Sequence, residues 1–125
     1  MTTSKKQKAG VIGLGSMGLG VARTLLKKGF EVHAFDVRPE VSKAFAKEGG
    51  VAASSPAEIG RNVPVVIVLV VNADQTNDVL FGKDGAVSTL AKGSVVIASS
   101  TVAPEFAVDL GKRLDAKGQI GRAHV

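Results

Sequence analysis

The string Gly13-Leu14-Gly15-Ser16-Met17-Gly18 spaces three glycines as G-x-G-x-x-G, and Asp36 stands 18 residues beyond the last of them. That pairing of residue types suits a pyrophosphate followed by a ribose. Gly13 would allow a tight turn, Gly15 would let the backbone approach phosphates with no Cβ in the way, and Gly18 would bring a helix close to the preceding strand. The amides of Leu14, Ser16 and Met17 would fall at the positive end of that helix. A carboxylate at Asp36 would accept the hydroxyls of an adenosine ribose and repel a 2′-phosphate, which favours NAD over NADP. Val37 and Arg38 complete the cofactor-contact set at this end. The Arg38 guanidinium is the counterweight, since it could pair with an extra phosphate. His33 and His124 have no evident partners and read as packing and terminal residues.

The flanking elements must place these residues correctly, and their pattern alternates β-branched runs with helical stretches. Ala9 to Ile12 is a strand directly before the glycines. Met17, Val21, Ala22, Leu25 and Leu26 then recur at helical spacing up to Lys27, Lys28 and Gly29. Glu31 to Phe35 is a second strand, Pro39 to Glu48 a second helix and Val51 to Ala53 a short third strand. Ser55, Pro56 and Glu58 form a capping-box helix start. Val65 to Val71 is continuously apolar, as a strand buried on both faces should be. A helix from about Asp74 to Leu80, a loop from Gly82 to Gly85 and a short helix to Ala91 lead to a fifth strand, Ser94 to Ala98. Thr101 and Pro104 open a last helix with Phe106, Ala107, Leu110 and Leu114 on its apolar face. The expectation is an α/β fold: a Rossmann-type parallel sheet of order 3-2-1-4-5 with helices on both faces. Its bounds read as a basic flexible tail at 1–8, a dinucleotide-binding domain at 9–117 and an irregular or truncated end at 118–125.

These residues, with Ala22, Leu25, Leu26, Gly29, Val32 and Asp36, resemble the N-terminal domain of the β-hydroxyacid dehydrogenases. That family includes 3-hydroxyisobutyrate, L-threonate and 6-phosphogluconate dehydrogenases and tartronate semialdehyde reductase. Val79-Leu80-Phe81-Gly82 with Gly85, and Ser99-Ser100-Thr101 with Pro104, are similar to later family segments. The resemblance spans about residues 9 to 117 and points to small-hydroxyacid, NAD-preferring members. It implies hydride transfer between a 3-hydroxy carboxylate and a nicotinamide, in a cleft shared with a following helical domain. Carried over, Val71 and Asn72 would sit by the nicotinamide, Thr101 by its ribose, Ser100 near the substrate carboxylate, and Thr76 at a further cofactor contact. Members of the family continue with a strand, a substrate-binding glycine pair and a helix bearing a catalytic lysine. Residues 118–125 carry no such string, and Lys112 and Lys117 read as solvated surface. The expectation is a chain that holds a dinucleotide and lacks the proton-transfer group, so that it is inactive alone. A small hydroxyacid would be a partner only with the missing domain supplied.

Composition narrows the alternatives. The 125 residues suit one domain, and 45% hydrophobic with 22% charged residues suits a folded core. The absence of cysteine excludes disulfides, thiolate zinc sites and cysteine nucleophiles; no metal site is expected, and a cytoplasmic location fits. The longest apolar run, Val63 to Val71, is about half a membrane span, so no membrane partner is expected. The net charge of +5 owes three charges to Lys5, Lys6 and Lys8, and with no Trp or Tyr there is no stacking platform for nucleic acid. The exposed surface of the last helix and strand is a candidate for homo-oligomer contact. A non-catalytic dinucleotide-binding or interaction module is the alternative function. An S-adenosylmethionine methyltransferase shares the glycine loop and the acid, but the full glycine spacing and the Ser99 to Pro104 turn disfavour it.

Overall fold

The computed structural model of the chain describes residues 7–70, 73–98 and 104–123. The elements are β1 (Lys8–Ile12), α1 (Ser16–Lys27), β2 (Glu31–Phe35), α2 (Pro39–Lys47), β3 (Val51–Ala52), α3 (Pro56–Asn62), β4 (Val65–Val68), α4 (Ala73–Phe81), a 3-10 turn (Ala86–Ser88), β5 (Val95–Ala98), α5 (Pro104–Ala116) and β6 (Ile120–Ala123). They build a wholly parallel sheet of order β3-β2-β1-β4-β5-β6. The strand order reverses between β1 and β4. In an open parallel sheet that is where the loops leaving two neighbouring strands part and leave a crevice.

The chain punctuation explains the elements. After α1, Gly29 takes φ +93°, and the Phe30 amide bonds back to the Leu25 carbonyl at 3.0 Å, closing the helix. Gly49 at φ +110° ends α2 in the same way. At α3 the Ser55 hydroxyl accepts the Glu58 amide at 3.2 Å. The Glu58 carboxylate reaches back one residue further than a simple capping box, to the Ser54 hydroxyl and amide.

The alternation of each strand sends side chains into two separate cores. On one face Val11, Val32 and Ala34 pack with Ala22 of α1 and Phe45 of α2. On the other, Ile12, Val66, Val68, Val96 and Ala98 meet Ile59 of α3, Leu80 of α4, and Leu110 and Leu114 of α5. Cover is therefore unequal. The first face of β4, β5 and β6, with the rows Val65–Val95–Ile120 and Ile67–Ile97, has no helix of its own among the described residues. Its residues are only partly buried, and Ile120 is exposed.

Two expectations are corrected. Lys8 belongs to β1 rather than to a tail: it pairs in register with Glu31, and its ammonium lies 3.9 Å from that carboxylate. The end of the chain is not irregular over 120–123, where β6 lies parallel to β5 and extends the expected order by one strand. Ile-Gly-Arg-Ala carries no alternation that would announce a strand. It is held by backbone pairing, and Gly121 leaves the space that the Leu114 side chain fills. Smaller differences concern boundaries: β4 ends at Val68, and the short helix expected to reach Ala91 is a 3-10 turn over Ala86–Ser88.

Candidate functional site

The site grows out of the β1–β4 junction. The Gly13 amide donates to the Phe35 carbonyl at 2.8 Å, and the Leu69 amide to the Ile12 carbonyl at 2.8 Å, tying the loops after β1, β2 and β4 together. Gly13 sits at φ +99°, where a Cβ would lie 2.6 Å from the Leu69 carbonyl oxygen. At Gly18 a Cβ would drive into the Gly13 carbonyl oxygen. Both glycines are thus required by the protein's own packing.

Gly15 is different. Its φ of −69° and ψ of −171° suit any residue, and among the described residues a Cβ there would meet nothing within 4 Å. Among the described residues nothing needs glycine at this position, yet it is where α1 begins and it lines the cavity. The Leu19 amide bonding to the Gly15 carbonyl at 2.8 Å starts the helix, so the amides of Ser16, Met17 and Gly18 have no helical carbonyl beneath them. No acidic residue lies in this first turn, and Gly15 at its N-cap has no side chain with which to cap it. The arrangement leaves an electropositive backbone end with room in front of it, which fits a pyrophosphate.

The cavity, of about 360 Å³, is lined by Ile12, Gly13, Gly15, Phe35, Asp36, Val37, Arg38, Leu69, Val70, Gln75, Asp78 and Val79. At its edge Asp36 is buried, and its carboxylate accepts the Leu14 amide at 2.8 Å and the Arg38 amide at 2.9 Å. Arg38 Nε lies 2.9 Å from the same carboxylate. Burial alone would raise the Asp36 pKa, but the hydrogen bonds from Arg38 and the Leu14 amide, with the guanidinium charge, together hold it below the ordinary carboxylate range. A carboxylate kept ionised at the edge of an apolar cavity can accept ribose hydroxyls. The walls formed by Phe35, Val37, Leu69, Val70 and Val79 suit a flat apolar ring such as adenine.

Of the expected contact residues, Gly13, Gly15, Asp36, Val37 and Arg38 line this cavity. Leu14 contributes its amide while its side chain is buried in the α1 core. Ser16 and Met17 are exposed, and Gly18 is buried against the loop. Thr76 lies fully buried and is absent from the lining, whereas Gln75 and Asp78, on the outer side of the same helix, belong to it. Val71, Asn72, Ser100 and Thr101 lie outside the described residues. His33 is buried in β2, with Nε2 2.7 Å from Glu31 Oε2. Sequence reasoning missed Ser42, whose hydroxyl accepts the Asp36 amide at 3.0 Å. It also missed the cavity side of α4, which the three-residue spacing of Gln75 and Asp78 could have shown. Among the described residues no group of three or more potential ligands could hold a metal ion, and no helix is long and apolar enough to cross a membrane.

Comparison with known proteins agrees with this geometry. The chain is 58% identical over 109 residues to the L-threonate dehydrogenase of Cupriavidus necator, a match covering 87% of this chain and 37% of that protein. It is 34% identical over 117 residues to the mitochondrial 3-hydroxyisobutyrate dehydrogenase of Mus musculus, covering 94% of this chain and 35% of the relative. The crystal structure of 3-hydroxyisobutyrate dehydrogenase from Salmonella typhimurium superposes with a TM-score of 0.87 at 35% identity, over 93% of this chain and 40% of that one. The chain therefore spans little more than a third of the curated relatives it matches. A family model, the NAD binding domain of 6-phosphogluconate dehydrogenase, matches residues 8–120, and the chain belongs to that family.

Proposed function

We propose that this chain is the cofactor half of a 3-hydroxyacid dehydrogenase that prefers NAD to NADP. The observation that carries the reading is Gly15, a glycine the fold does not need, at an uncapped helix start facing a cavity whose edge holds the ionised Asp36. Bound there, a nicotinamide dinucleotide would supply a hydride acceptor or donor. The chain's own part is to hold the pyrophosphate on the α1 amides and the ribose on Asp36. The 58% identity to an L-threonate dehydrogenase favours a small hydroxyacid of that kind as the substrate of the whole enzyme. By the resemblance, Ser100 touches that substrate and Val71, Asn72 and Thr101 touch the nicotinamide end. The catalytic lysine and the substrate-binding glycine pair are not among these residues, so the 125 residues alone bind cofactor without turnover. A cytoplasmic location, which the cysteine-free composition fits, with neither membrane nor nucleic acid as partner, completes the proposal.

Titration with NADH, followed by nicotinamide fluorescence, should saturate, while assays with L-threonate and 3-hydroxyisobutyrate should stay blank. Absence of saturable binding sinks the cofactor assignment, and turnover by the chain alone sinks the requirement for the lysine. A second reading, a non-catalytic interaction module, is favoured by the uncovered half of the sheet with exposed Ile120. The same surface makes self-association the expected oligomeric behaviour.

A further inference from the structure

The chain's own groups already saturate the Asp36 carboxylate. Oδ2 accepts the Leu14 amide at 2.8 Å and Arg38 Nη2 at 3.3 Å, and Oδ1 accepts the Arg38 amide and Arg38 Nε, both at 2.9 Å. A carboxylate offers about four acceptor positions, and four donors fill them. An incoming ribose hydroxyl must therefore displace one. The Leu14 amide is enclosed by a residue only 3% exposed, so releasing it would strand a buried donor. The Arg38 amide is fixed by the turn into α2. The guanidinium belongs to a side chain 55% exposed, and water can solvate it once it leaves. It is the donor that can go.

We propose that Arg38 competes with the adenosine ribose: it closes Asp36 in the free chain and must swing away before an unphosphorylated ribose can bind. This rests on the dinucleotide reading of the same cavity. The displaced guanidinium stays beside the ribose, tethered two residues from Asp36. There a 2′-phosphate recruits it, because a planar fork pairs well with phosphate oxygens. Arg38 thus acts in opposite directions on two ligands. For a ribose with free hydroxyls it is a cost, and for a 2′-phosphorylated ribose it is a partner set against the repulsion from Asp36. The preference for NAD over NADP is held down by the side chain next to the residue that creates it.

Calorimetric titration of the full 125-residue chain with three probes tests this: ADP, 2′,3′-dideoxy-ADP and ADP carrying a 2′-phosphate. Arg38→Met should bind ADP about two- to fivefold more tightly, the range an exposed ion pair supplies. It should leave dideoxy-ADP within about twofold, because that probe does not call on Asp36, and weaken the 2′-phosphorylated probe about fivefold or more. Arg38→Lys, which keeps the charge and loses the fork, should fall between the wild type and Arg38→Met. If Arg38→Met binds ADP no more tightly than the wild type, or tightens ADP and dideoxy-ADP equally, the competition is refuted while the cofactor site stands. If the wild type binds none of the three, both the site and the competition fall.

Discussion

Two alanine substitutions three residues apart should separate the needs of the fold from the needs of the ligand. At Gly18 an added Cβ meets the Gly13 carbonyl oxygen, a backbone atom that cannot rotate aside. Overpacking of that kind costs about 3 kcal/mol at the upper end of its range. The better helix propensity of alanine returns about 1 kcal/mol, so Gly18→Ala should lose about 2 kcal/mol. At Gly15 the backbone angles are ordinary and the Cβ points into open space. The small penalty for alanine at an N-cap and the smaller entropy of the unfolded chain nearly cancel, leaving stability within about 0.5 kcal/mol. Binding should show the reverse. A methyl group at Gly15 holds the pyrophosphate off the first-turn amides, and loss of one charge-assisted hydrogen bond, about 1.5–3 kcal/mol, weakens NADH binding roughly 10- to 150-fold. Urea denaturation and NADH titration of both variants give the four numbers. A Gly15→Ala chain that binds NADH within twofold of the wild type, or a Gly18→Ala chain of unchanged stability, would refute the division of labour argued from the Cβ positions.

Three further outcomes follow from the same contacts. Asp36 has a folded pKa below its unfolded value, so its pairing stabilises the fold above the ordinary carboxylate pKa of about 4 and is lost as pH falls through the folded value; urea midpoints of the wild type and Asp36→Asn should differ at pH 7 and converge in strong acid. Ser55→Ala removes the acceptor for the Glu58 amide and should cost about 1 kcal/mol, measured as a shift in urea midpoint at constant slope. Phe45→Ala empties the centre of the α1–α2 core, where the ring is fully buried and packs against Gly50, and should cost about 3–5 kcal/mol in the same experiment.

Strands β1 to β5 and most helices were legible because each carries a local signal, such as the unbroken apolar run at Val65–Val68 or the glycines at 29 and 49. The placement of the glycine loop beside Asp36 was legible for the same reason, since it depends on spacing along one strand–helix–strand unit. What escaped depends on contacts between distant segments. Strand β6 exists because β5 offers it a backbone edge and Leu114 fits over Gly121, and neither fact is local to Ile-Gly-Arg-Ala. Thr76 was named from the resemblance alone, by its place at the start of α4. Only the rotation of the packed helix puts Thr76 inside and Gln75 at the cavity. The Asp36–Arg38 closure was hidden because the sequence shows two neighbours of opposite charge without showing that they engage.

The uneven cover of the sheet has a thermodynamic consequence. The rows Val65–Val95–Ile120 and Ile67–Ile97 exist as an apolar surface only when β4, β5 and β6 are paired. Whatever lies against them, a second copy included, binds the folded chain and not the unfolded one, and so draws the equilibrium toward folding by mass action. Where that occupant is a second copy, as proposed above, the melting temperature rises with the chain's own concentration, and a polar substitution at Ile120 should flatten that dependence while leaving the dilute-limit value almost unchanged.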